Sequence, residues 1–228
     1  GIVLPAPRPG RAPARSAVLA RIEGRPLAQV LREMLDYSTN LTAEAVGLAA
    51  SGPARPAAGQ GAIALSSGRM SRWAADIAGL APGKPGLAFA NHSGLTLESR
   101  AAPAAVVALL AAAARRPAPE GAAHPRLPGR AAGLLSDYNV AAESVPLDYD
   151  RLDVVAKTGT MDQVRGLAGY IATPKGRRLV FAIFSNRLEA RAEDGRRFDR
   201  YWMARARNFE RALIRNWVGR HDAAAGGG

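Results

Sequence analysis

The last third of the chain constrains its fold most. Residues 152–158, 164–173 and 178–186 are three short runs rich in Val, Ile, Leu and Ala, each bounded by turn residues. Pro174-Lys175-Gly176 joins the second run to the third as a hairpin connection. Three such strands in succession predict an antiparallel meander. From residue 192 to about 218 the period changes, and Phe198, Tyr201, Trp202, Phe209, Leu213, Ile214 and Trp217 form an apolar stripe at helical spacing. A long helix is therefore expected to lay its aromatic stripe on the sheet.

The upstream part reads as helices. Pro26 opens a helix through about Asp36, with Leu27, Val30, Leu31, Met34 and Leu35 on one face. Tyr37-Ser38-Thr39-Asn40 interrupts the pattern, and a second helix is expected over 41–50. Ser66-Ser67 is a capping pair for a helix through about Leu80, and Pro103 opens another over 104–115. A short strand is expected over 16–23, a linker over 51–62, turns over 81–94, and irregular chain over 116–149 with a short helix near 131–138. The 228 residues suit one large domain or two small ones. We place one domain over 1–221 and a disordered Ala/Gly tail over 222–228. The class is α/β in the broad sense (α+β): a helical layer beside an antiparallel sheet. Only 6% of the residues are aromatic, against 48% hydrophobic, so the core must be mostly Ala, Leu and Val.

Composition excludes several chemistries. There is no cysteine, which removes disulfides, thiolate catalysis and Cys-based zinc sites. No cofactor or metal is expected, since His92, His124 and His221 lack metal-type spacing. The first residue is Gly, no secretion signal is visible and no apolar run reaches the roughly 18 residues of a membrane span, so the chain reads as a mature or truncated piece of a longer product. The net charge of +12 suits an anionic partner. Ala, Arg, Gly and Pro dominate throughout, however, and general compositional bias explains the charge better than nucleic-acid binding. That bias makes the three lysines, Lys84, Lys157 and Lys175, informative.

Lys157-Thr158-Gly159 ends a hydrophobic strand. On a sheet edge facing a cleft, the ammonium and the hydroxyl suit a carboxylate. Gly159 lets another chain lie close, so a peptide can add to the edge as a strand, and the Thr160 N–H can help hold an oxyanion. Alone, the tripeptide is an ordinary strand end with a solvated lysine. Ser38-Thr39-Asn40, between two helices, places a hydroxyl and an amide two residues apart. Alone, it is a helix cap. Together and in this order they are two of the three motifs of penicillin-binding proteins and class A β-lactamases, Ser-x-x-Lys, Ser-x-Asn and Lys-Thr-Gly.

On these residues the chain resembles the D-alanyl-D-alanine carboxypeptidase/endopeptidase family of low-molecular-mass penicillin-binding proteins. The resemblance extends over residues 31–44, His92-Ser93-Gly94-Leu95, 155–160, 166–170 and 181–186, and is poor over 116–150. It implies a penicillin-recognising serine hydrolase (β-lactamase/transpeptidase-like) fold, present in part. It also implies hydrolysis of peptidoglycan stem peptides through an acyl-enzyme, inhibition by β-lactams and a periplasmic or extracytoplasmic location. Carried over, Ser38 takes part in proton transfer, Asn40 orients the substrate, Lys157 and Thr158 bind its carboxylate side beside Gly159, and Thr160 lends its N–H to the oxyanion hole.

One departure limits the resemblance. None of the eleven serines has Lys three residues later; Ser66 is followed by Arg69, which cannot act as a base. The nucleophile is thus expected outside this chain, and the chain alone is expected to be silent. Two other readings remain open. A β-lactamase-like hydrolase on the same fold needs a deacylating carboxylate, for which Glu44 is the candidate near Ser-x-Asn. A silent basic binding module predicts salt-sensitive binding. Asp148, Asp150 and Asp153 read as a solvated loop, Ser93-Gly94 as a turn, and the arginines of the last helix as its solvated face.

Overall fold

The computed structural model describes residues 6, 10, 17–52, 61–81, 86–118, 122–129, 131–138, 140, 152–162, 164–187 and 199–223. Four helices come first: α1 (Leu27–Tyr37), α2 (Asn40–Ala50), α3 (Ala62–Ile77) and α4 (Pro103–Ala114). A two-stranded ribbon, β1 (Leu87–Ala88) with β2 (Arg100–Ala101), precedes α4. A 3-10 turn at Ala132–Leu134 leads into β3 (Ser136–Asp137), and then β4 (Asp153–Met161), β5 (Val164–Ala172), β6 (Arg178–Asn186) and α5 (Arg200–Ala223) complete the chain.

The meander forms as its pattern predicts. The sheet is antiparallel with order β3-β4-β5-β6, and the β4–β5 register runs unbroken from Asp153↔Ala172 to Met161↔Val164. The strands are apolar on both faces because both faces are covered. Val154, Ala156, Leu167, Ile171, Phe181 and Ile183 pack on Ile214 and Val218 of α5. Val155, Tyr170 and Ala172 point the other way, against Leu127, Ala132 and Leu110 of α4. Tyr170 is buried there and donates its hydroxyl to the Leu110 carbonyl at 2.8 Å; burial pushes its pKa up to about 12, so it remains a donor.

Five local expectations are corrected. Residues 17–23 form no strand: Val18, Leu19 and Ile22 stand exposed with no ladder partner among the described residues, and an unpaired strand has nowhere to place its backbone groups. Ser66 and Ser67 do not cap α3; the helix starts after Gly61, and both serines lie buried in its interior. Near 131–138 a 3-10 turn and β3 replace the short helix, because β4 captures that segment through Ser136↔Ala156 and Asp137↔Val155. In α5 the expected stripe holds in part: Ile214 is buried on the sheet and Leu213 and Trp217 pack against that core, but the buried line is Met203, Ala206, Glu210, Ile214 and Val218, a 3-4-4-4 spacing, while Tyr201 and Phe209 are exposed. Phe198 and residues 192–198 lie outside the described residues. Finally, α5 runs through Asp222 and Ala223. The Asp222 carboxylate accepts from the Thr173 hydroxyl at 2.6 Å and the Lys175 N–H at 3.3 Å, which ties down the start of the expected tail; residues 224–228 lie outside the described residues.

Candidate active site

The edge of β4 defines the site. β3 is two residues long and pairs only with Val155 and Ala156. The Tyr138 N–H donates to the Val154 carbonyl at 2.7 Å, so the backbone groups of Val154 point to the β3 side. Backbone direction alternates with period two along an unbulged strand. The N–H and C=O groups of Thr158 and Thr160 therefore point to that side too, beyond the end of β3. Among the described residues nothing pairs with β4 there. A Cβ built on Gly159 would meet nothing within 4 Å, so the packing of this chain makes no demand for glycine there.

Side-chain alternation sends Lys157 to the opposite face from Thr158 and Thr160, toward the helical layer. Its ammonium donates to the Ser38 hydroxyl and to the Thr158 carbonyl, the latter at 2.6 Å. Burial lowers the Lys157 pKa, opposed by the nearby charge of Asp36. Two contacts bring the end of α1 to this point: Arg32 donates to the Gly133 carbonyl at 3.1 Å, and the Ser136 hydroxyl donates to Asp36. Gly133 and Ser136 flank β4 through β3, so docking α1 on them delivers Ser38 to Lys157.

Ser38 ends α1 in the left-handed conformation, φ 52° and ψ 46°, with its N–H on the Met34 carbonyl. It is the one non-glycine residue with positive φ among the described residues. Glycine is the low-strain choice at such a cap; a serine here costs of order 1 kcal/mol. Asn40 is the first residue of α2, and its exposed amide has no hydrogen-bond partner among the described residues. Of the expected site residues, the structure joins Ser38 to Lys157. It leaves Asn40 exposed nearby in sequence, and puts Thr158 and Thr160 on the far face with their backbone groups at the edge.

A second cluster fixes α2 one turn further on. The Glu44 carboxylate accepts from the His92 N–H (3.2 Å), the Ser93 N–H (3.0 Å) and His92 Nδ1 (2.9 Å). His92 Nε2 lies 2.9 Å from Ser66 Oγ, which bonds on to Ser51 Oγ at 2.5 Å. His92 thus faces the carboxylate through Nδ1 and the Ser66 hydroxyl through Nε2. Burial alone would raise the Glu44 pKa, but the donors of His92 and Ser93 outweigh it and bring it down to about 2. The array resembles an acid–imidazole–hydroxyl relay, yet Ser66 is fully buried, so no substrate reaches it. It locks the 91–95 loop to α2 and α3. In sequence His92 lacks metal-type spacing and Ser66 has the signature of a cap. The available signal was Gly47, since an interior helical glycine costs about 1 kcal/mol relative to Ala. A Cβ there would stand 2.0 Å from His92 Cδ2.

Other candidates sit apart. His124 Nδ1 accepts the N–H groups of Arg126 and Leu127, and His221 lies in the last turn of α5. Asp153 pairs with Arg126 at 3.1 Å, whereas Asp148 and Asp150 lie outside the described residues. No group of three or more potential metal ligands occurs among the described residues. Arg215 is not purely solvated: it donates to the Val140 carbonyl at 3.1 Å. Among the described residues no helix is long and apolar enough to cross a membrane.

A helical layer, an antiparallel sheet whose Lys-Thr-Gly strand meets a Ser-x-Asn helix junction, and a closing helix together make this a penicillin-recognising fold. A predatory endopeptidase from Bdellovibrio bacteriovorus, solved with an immunity protein, superposes with a TM-score of 0.55 at 18% identity, over 86% of this chain and 44% of that one. Penicillin-binding protein 4 from Haemophilus influenzae, solved with a β-lactam, gives a TM-score of 0.46 at 19% identity, over 83% of this chain and 42% of that one. The chain belongs to the D-Ala-D-Ala carboxypeptidase 3 (S13) family, whose profile matches residues 8–205. A carboxypeptidase of Mycobacterium tuberculosis is 31% identical over 182 residues, covering 77% of this chain. The chain spans 37% of that relative's length.

Proposed function

We propose that the protein is a serine-type D-Ala-D-Ala carboxypeptidase, with endopeptidase activity on the corresponding cross-link, acting on peptidoglycan stem peptides outside the cytoplasmic membrane. The observation that carries this reading is the Lys157 ammonium on the Ser38 hydroxyl beside the open edge of β4. In the proposed reaction a stem peptide adds to that edge as a strand. Lys157 and Thr158 meet its terminal carboxylate, Gly159 leaves room for its backbone, and Asn40 orients its amide. A serine hydroxyl attacks the carbonyl of the penultimate D-Ala and gives its proton to a base. The oxyanion is met by the Thr160 N–H and the nucleophile's own N–H. As the C–N bond breaks, Ser38 relays a proton to the departing amine. Water then hydrolyses the ester and restores the serine. No step needs a metal or cofactor.

No serine of this chain precedes Lys by three residues, so the nucleophile belongs to a Ser-x-x-Lys segment outside it. A β-lactam takes the place of the substrate amide and inhibits by the same acylation. Glu44 is poorly suited to deacylation: both oxygens are engaged and its pKa near 2 makes it a weak base. That favours the carboxypeptidase over the β-lactamase reading. The test is fluorescent-penicillin labelling of this chain and of the longer product containing Ser-x-x-Lys. The longer product takes the label and loses it on Lys157→Ala. Covalent labelling of the chain alone, or undiminished labelling of the Lys157→Ala protein, refutes the proposal.

A further inference from the structure

Arg165 and Glu210 had no role in the site as read from the sequence, yet they form a buried ion pair directly behind it. Glu210 on α5 is 0% exposed and Arg165 on β5 is 6% exposed. Arg165 Nε lies 2.9 Å from each carboxylate oxygen, with its N–H directed at Oε2. The Tyr138 hydroxyl donates to the same Oε2 at 3.1 Å, while Oε1 has no hydrogen-bond partner among the described residues. Burying two charges costs several kcal/mol per ion, and apolar residues of similar volume are often as stable or more so. Stability alone is a poor reason for this pair.

The register supplies a better one. Arg165 stands directly opposite Thr160, and its Nη1 donates to Thr160 Oγ1 at 3.3 Å. Thr160 is exposed and lies past the end of β3, one residue before the end of β4. Here, among the described residues, the strand has a ladder neighbour on one side only. Glu210 anchors the guanidinium in the α5 layer, the guanidinium holds the Thr160 hydroxyl, and the Thr160 N–H is left at the open edge.

We propose that Arg165 and Glu210 are positioning residues: a buried pair that clamps Thr160 so that its N–H keeps the direction in which a substrate oxyanion is met. The inference rests on the carboxypeptidase reading given above. It is tested by fluorescent-penicillin acylation of the longer product, resolved into a dissociation constant and an acylation rate constant. Thr160→Val and Arg165→Lys each lower the rate constant by about tenfold to a hundredfold, the scale of a misplacement of about 1 Å, and leave the dissociation constant within about threefold. Thr160→Ser keeps the hydroxyl and acylates faster than Thr160→Val, as the retained contact to Arg165 requires. Adding Glu210→Gln to Thr160→Val causes no further loss, because one chain of contacts is already broken. Thr160 is exposed, so its variants remain readable even if a Glu210 variant fails to fold. A Thr160→Val protein that acylates at the wild-type rate, or that loses affinity alone, overturns the clamp, as does a double variant with multiplied losses. If Lys157→Ala abolishes acylation in the same series, only the clamp has failed; if it does not, the site reading has failed with it.

Discussion

Glu44→Gln isolates one charge in the lock between α2 and the 91–95 loop. Gln keeps nearly the same shape and one carbonyl acceptor and, like a protonated carboxyl, gives up the second, so the variant stands in for the uncharged form of Glu44. In the folded protein the carboxyl is held at about 2 against its ordinary 4.5. Each pKa unit is worth about 1.4 kcal/mol, giving an upper bound of about 3.5 kcal/mol. The carboxylate side chain is 18% exposed, so solvent screening brings the expected figure to about 2 kcal/mol. Because the folded pKa is depressed, this stability is fully present above about pH 4.5 and disappears as pH falls toward 2. The assay is urea unfolding of wild type and Glu44→Gln in parallel from pH 7 to pH 2.5. Other carboxylates titrate in both proteins and cancel in the difference. The gap is expected at about 2 kcal/mol at pH 7 and to close across the acid range. A gap that stays constant with pH, or one below about 0.5 kcal/mol at pH 7, refutes the reasoning that hydrogen bonding to the charged form outweighs its burial.

Three further outcomes follow from the same contacts. Ser38→Gly relieves the left-handed strain and raises stability by about 0.5–1 kcal/mol in thermal melts, yet lowers β-lactam acylation of the longer product, because the hydroxyl on Lys157 is lost. Gly47→Ala, which helix propensity alone favours by about 1 kcal/mol, instead destabilises by about 1–3 kcal/mol, since the methyl group meets the His92 ring; denaturant midpoints decide the sign. Ile214→Ala removes a fully buried side chain between α5 and the sheet and costs about 2–5 kcal/mol of unfolding free energy.

Much of the architecture was legible because its signals are local. The apolar runs of β4, β5 and β6, the Pro174-Lys175-Gly176 connection and the break at Ser38 are written within a few residues of where they act. Burial, by contrast, was misread where it depends on a neighbour. Phe209 and Glu210 are adjacent, and hydrophobicity favours burying Phe209. The structure buries Glu210, because Arg165 waits on β5 at that height, and turns Phe209 to solvent. Residues 17–23 had strand composition, but no strand of the described chain lies beside them.

The candidate site divides the same way. Sequence alone singled out the candidate groups, because Ser38-Thr39-Asn40 and Lys157-Thr158-Gly159 are contiguous motifs in a fixed order. Only the tertiary structure decided that Lys157 meets Ser38 across 119 residues. It also decided that β3 ends opposite Ala156 and leaves the next residues of β4 without a ladder partner on that side among the described residues, and that Glu44 is bound to His92 and Ser93. A hydrogen bond between distant residues depends on how helices dock and where a strand's partner ends, and neither is encoded at the position of the side chain that benefits.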